Sequence, residues 1–142
     1  MTTLAANKKR VYEFNADPIY NDVPMIASDV IYEGAAVGES SSSGNARPLE
    51  GGDNFLGFAT AKADNSSGSA GDVNVRVRSR GIVKLTVTGV SADDDLGATV
   101  YATDDDTFTL TASGGSPIGK VHRWISGTTC MVAFESVLQR SI

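Results

Sequence analysis

The sequence predicts an all-β fold, a β-sandwich or barrel built from two related β-rich halves and preceded by an extended N-terminal arm. Three observations carry this. Apolar residues alternate with polar ones over short runs, as on a strand with one buried face. Glycine-containing turns punctuate those runs, with 15 glycines and only 4 prolines in 142 residues. Glycines also recur at a constant spacing in the two halves of the chain.

The clearest alternation is Val73-Asn74-Val75-Arg76-Val77-Arg78, with valines on one face and polar side chains on the other. Gly81 is read as a break, after which Ile82 to Val87 forms the next strand, ended by Gly89. Thr107 to Thr111 alternates threonine with Phe108 and Leu110, and Cys130 to Phe134 is an apolar run suited to a buried strand. Turn chemistry separates these segments at 40–45, 50–54, 64–72 and 113–116.

The halves share an order of residues. Gly34, Ala35, Val37, Gly51 and Gly52 recur 63 positions later as Gly97, Ala98, Val100, Gly114 and Gly115, and Gly57 answers Gly119 after a slip of one. The expected organisation is therefore an arm over 1–24 and one β domain over 25–142, with an internal repeat of about 25–80 and 82–137. In the arm, Lys8, Lys9 and Arg10 form a basic cluster, and Tyr12 and Phe14 share one parity. Pro18 and Pro24 favour extended backbone before them. The arm is read as a segment that orders on meeting a partner, with an edge strand as the alternative.

Charge and composition narrow the function. A net charge of −5 argues against binding nucleic acid through the overall field, which needs clustered Lys and Arg. No apolar run approaches the 18 residues of a membrane span, and the start of the chain lacks the apolar core of a signal peptide. One cysteine, Cys130, allows no intrachain disulfide, which fits assembly in a reducing cytoplasm. The one histidine, His122, alternates with Val121 and Arg123 and reads as a polar-face strand residue rather than a catalytic base. Zinc lacks a ligand set. The aspartate runs 93–95 and 104–106 do not alternate ligands with spacers as a calcium loop does, so they read as solvated turns. No phosphate loop or nucleophile motif is present, and no enzyme activity, metal or cofactor is expected. Arg76, Arg78 and Arg80 share parity and line one sheet face, either as a solvated face or as an interface.

The segment order resembles the capsid cement, or decoration, proteins of tailed bacteriophages. The resemblance lies in Gly34 to Val37, Leu56-Gly57-Phe58-Ala59, Gly71-Asp72 leading into Val73 to Val77, Gly97-Ala98-Thr99-Val100-Tyr101, the Thr-rich 107–111, and Pro117-Ile118-Gly119-Lys120-Val121. It covers about residues 28–137. The longer arm and the arginine row ending at Gly81 depart from the pattern. The resemblance implies a structural virion protein on the outer surface of an assembled capsid. Such a protein bridges subunits of the major capsid protein and acts as a homo-oligomer, a trimer ahead of a dimer. Lys8, Lys9, Arg10, Tyr12, Phe14, Arg76, Arg78 and Arg80 are the candidate interface residues. The alternative is another virion module, a head fibre or tail protein that binds a receptor or carbohydrate.

Overall fold

Fifteen residues, Asn74–Thr88, form one uninterrupted strand, β7, and the rest of the molecule is arranged along it. Its odd-numbered residues are buried and its even-numbered ones face outward or are half-buried. The alternation passes through Gly81 without a change of phase, so the expected break there does not occur. Gly81 occupies an inward position, and a Cβ on it would lie 2.9 Å from Arg78 Nε and 3.3 Å from the Phe134 ring. A glycine inside a strand marks close approach here, not termination.

The computed structural model describes residues 3–13, 19–92 and 95–136. These hold eleven strands and no α-helix. The first six are β1 (Ile19–Pro24), β2 (Asp29–Ile31), β3 (Ala36–Glu39), β4 (Ala46–Pro48), β5 (Asn54–Ala59) and β6 (Ala63–Asn65). After β7 come β8 (Thr99–Ala102), β9 (Phe108–Thr109), β10 (Ser116–Ser126) and β11 (Thr129–Glu135).

The second half of β7 closes a five-stranded barrel. Around it, β7 pairs with β11, β11 with β10, β10 with β8, β8 with β9, and β9 returns to β7 as the parallel member. The choice between sandwich and barrel, open on sequence, is thus settled for this half. The first half of β7 repeats the arrangement: β7 pairs with β1 and β5, β5 with β3, and β3 with β4. There the ring is completed by a single parallel bridge, Met25 to Ala46, with the Ile26 N–H donating to the Ala46 carbonyl at 2.9 Å. Met25 and Ala46 lie 63 residues before Thr88 and Thr109, which pair in parallel in the second ring. β8 likewise starts 63 residues after β3. The spacing that suggested two related halves is therefore also a spacing of strand pairings.

Residues 19–24, counted with the arm on sequence, are β1 and belong to the first ring. Pro24 fits because it ends the strand, where a missing N–H costs no ladder bond. β2 and β6 form a separate two-stranded ribbon.

Each ring has its own core. Met25, Ile31, Val37, Leu56, Val75 and Val77 pack in the first, and Val83, Leu85, Val100, Ile118, Val132 and Phe134 in the second. Phe55 and Phe58 of β5 cross between them. They join the second core, where Phe58 meets Phe134 edge to face at 5.0 Å. The paired glycine turns meet at the same junction: Gly51 lies against the Gly114 carbonyl, and the Gly52 N–H donates to Ser116 Oγ at 3.0 Å.

Candidate interaction surface

The described part of the arm, residues 3–13, packs on the chain's own strands. Its last residues fill a gap on the β7 edge between β5 and β9. There Tyr12 bridges Val83, the Lys84 N–H donates to the Val11 carbonyl, and the Glu13 N–H donates to the Ile82 carbonyl, both at 2.8 Å. Earlier in the arm, the Lys8 N–H donates to the Glu33 carbonyl at 2.8 Å, and the Thr3 N–H donates to Asp105 Oδ1 at 2.7 Å.

Three of the candidate interface residues are thereby turned inward. The Arg10 side chain is only 5% exposed. Its Nε donates to the Gly34 carbonyl and its Nη2 to Asp106 Oδ1, each at 2.8 Å, and its guanidinium stands 5.5 Å from the Phe58 and Phe108 rings. A buried cation is tolerable when it is paired and hydrogen-bonded, and Arg10 is both. Tyr12 packs on the second core, 6.2 Å from Phe134. The Arg78 guanidinium stacks 4.0 Å from the Tyr12 ring, and its Nε lies buried beside Gly81 with no hydrogen-bond partner among the described residues. Stacking on an aromatic face offsets part of the cost of holding that group away from water.

Burial pushes the Tyr12 phenol up to about 12, against the opposing pull of Arg78 and Arg10. The folded chain therefore holds this proton more tightly than the unfolded chain does. Its contribution to stability is complete below pH 10 and is lost as pH rises through about 12. Denaturation at pH 8 and at pH 11.5 is expected to show an alkaline loss that shrinks, on the order of 2 kcal/mol, when Tyr12→Phe removes the ionisable group.

The other candidates face solvent. Lys8 is half exposed and pairs with Asp106 at 3.1 Å. Lys9 is exposed and has no ion-pair partner among the described residues. Arg76 stacks 5.1 Å from Tyr20 and lies 3.9 Å from Asp22, and Arg80 lies 3.8 Å from Glu135. These are long, exposed pairs that neutralise little. Phe14 lies outside the described residues.

Lys8, Lys9 and Arg10 are brought together with Lys84, a residue the sequence reading missed. With Val11 and Asp106 they line a groove of about 240 Å³ between the arm and β7. The signal for Lys84 was its parity with Arg76, Arg78 and Arg80, obscured by reading Gly81 as a strand break. On the other side of Arg10, a hollow of about 190 Å³ holds Tyr12, Tyr20, Glu33 and Arg78.

The remaining polar residues are engaged locally. Asp104 accepts from the Asp106 N–H and the Thr107 hydroxyl, while Asp106 takes the two arm cations. Asp95 accepts the N–H groups of Ser91 and Ala92; Asp93 and Asp94 lie outside the described residues. Among the described residues, no three His, Cys, Asp or Glu side chains are grouped to hold a metal ion. Burial pushes the Cys130 thiol up to about 11, the opposite of a reactive thiolate. His122 is exposed on β10.

No family model and no curated protein matches this chain. The likeness to phage cement proteins therefore rests on the segment pattern alone.

Proposed function

We propose that this chain is a structural virion protein that binds the exterior of an assembled phage capsid and clamps neighbouring major capsid protein subunits, acting as a homo-oligomer. The observation that carries the reading is the distribution of charge. Seven of the 12 Lys and Arg residues lie on the arm or on β7 (Lys8, Lys9, Arg10, Arg76, Arg78, Arg80 and Lys84), in a chain whose net charge is −5. The exposed members of that set, Lys8 and Lys9 on the arm and Arg76, Arg80 and Lys84 on β7, make a cationic strip on an otherwise acidic molecule. Such a strip suits a protein partner of opposite charge, selected by electrostatic complementarity.

The fold supports a mechanical role. A closed barrel and a second ring of strands share one 15-residue strand, so a load would pass along continuous backbone pairing rather than across a linker. A protein that binds only the assembled lattice stabilises that lattice by linkage, and an oligomer touching several subunits adds avidity. No catalytic step is part of this proposal. The test is co-sedimentation of the purified protein with expanded capsids lacking it. Saturable binding is expected; absence of binding to any capsid form would contradict the reading.

A further inference from the structure

We propose that the groove between residues 8–11 and β7 is a docking site for an acidic, extended segment of a protein partner. In the shell-binding reading, on which the partner's identity rests, that segment belongs to the major capsid protein.

The groove has the charge for such a ligand. Lys8, Lys9, Arg10 and Lys84 line it against one carboxylate, Asp106. Asp106 is already committed to Lys8 at 3.1 Å and to Arg10 at 2.8 Å. Lys9 and Lys84 are exposed and have no ion-pair partner among the described residues, so two cations on opposite walls remain to be neutralised. The hydroxyl-bearing residues Thr86 and Thr129, cross-strand neighbours on β7 and β11, lie along the same groove.

The groove also has an apolar component. Val11 is 60% exposed, the most exposed large hydrophobic residue of the described chain, and it sits on the rim. An exposed apolar residue between unpaired lysines fits a polypeptide whose acidic side chains alternate with aliphatic ones. A nucleic acid backbone would leave Val11 without a partner and would meet the repulsion of the chain's overall negative charge. A volume of about 240 Å³ is below that of a typical cofactor pocket and suits a few side chains of a strand laid along the surface.

The probe is a short fluorescein-labelled peptide with Glu and Val in alternation, titrated with the full chain and followed by fluorescence polarisation. Saturable binding is expected, weakening with added salt. The double variant Lys9→Glu/Lys84→Glu is expected to bind about tenfold more weakly or worse, and Lys9→Ala/Lys84→Ala several-fold more weakly. The Ala pair keeps the test valid if the charge-reversed chain folds poorly. Lys120→Glu, which does not line the groove, should bind as wild type. Three results would overturn the docking site: no binding by wild type, equal binding by the double variants, or equally tight binding of an oligothymidylate of the same length. Capsid co-sedimentation separates the two claims. Peptide binding without capsid binding removes the shell reading and leaves the groove. Capsid binding that is undiminished in a double variant that has lost the peptide overturns the assignment of the groove to the shell.

Discussion

Phe58→Ala is expected to destabilise the protein by about 3 to 5 kcal/mol, lowering its melting temperature by roughly 10 to 15 °C. Phe58 is fully buried on β5, where the strands of the first ring meet the core of the barrel. Its ring meets Phe134 at 5.0 Å and Phe55 at 5.5 Å, both edge to face, and Phe108 at 6.0 Å. Truncation removes all three contacts and leaves a cavity that rigid strands on both sides cannot close. It also strips one of the two rings beside the buried Arg10 guanidinium. The loss should therefore loosen the arm as well as the core. Chemical denaturation measures the first effect, and limited proteolysis after Lys8, Lys9 or Arg10 reports the second. A loss below about 1 kcal/mol would mean that the two halves do not share this aromatic junction.

Gly119→Ala is expected to cost about 3 kcal/mol, because it forces backbone against backbone. A Cβ at Gly119 on β10 would overlap the Ala133 carbonyl oxygen and lie 2.8 Å from the Phe134 Cα, both on the paired strand β11. No side-chain rotation relieves such a contact; the strands must separate. Gly57, its counterpart in the first half, lies in the same way against the Arg78 carbonyl of β7. Gly57→Ala should be similarly damaging, with added strain from a φ of 133°. Lys120→Ala, one residue away and exposed, should fall within about 0.5 kcal/mol of wild type. Thermal melts of the three variants measure the contrast. Wild-type stability in Gly119→Ala would show that β10 and β11 do not approach so closely.

These two glycines show what a single sequence can reveal. Their offset of 62, beside the 63 of the other matches, was visible as a pattern. It has a physical basis because a glycine forced by close strand approach cannot drift when a unit is duplicated. Alternating burial was legible for the same reason, since one face of each strand must meet a core. Three features were hidden. Gly81 reads as a breaker, and only the Arg78 side chain and the Phe134 ring beside it reveal a packing glycine. The prolines at 18 and 24 read as an arm, although a proline at the end of an edge strand is compatible with β1. A Lys-Lys-Arg cluster on an arm reads as an anchor for a partner, yet Arg10 is buried because Asp106, 96 residues away, and two phenylalanine rings make a site for it. Such long-range pairing leaves no local trace in the chain.

The most direct test of the proposed role is the melting temperature of expanded capsids that lack this protein, measured with and without saturating amounts of it. A ligand specific to the assembled lattice must raise that temperature in a concentration-dependent way. The rise should diminish in Lys9→Glu/Lys84→Glu and persist in Lys120→Glu. An unchanged capsid melting temperature at saturating protein would contradict the shell-stabilising role.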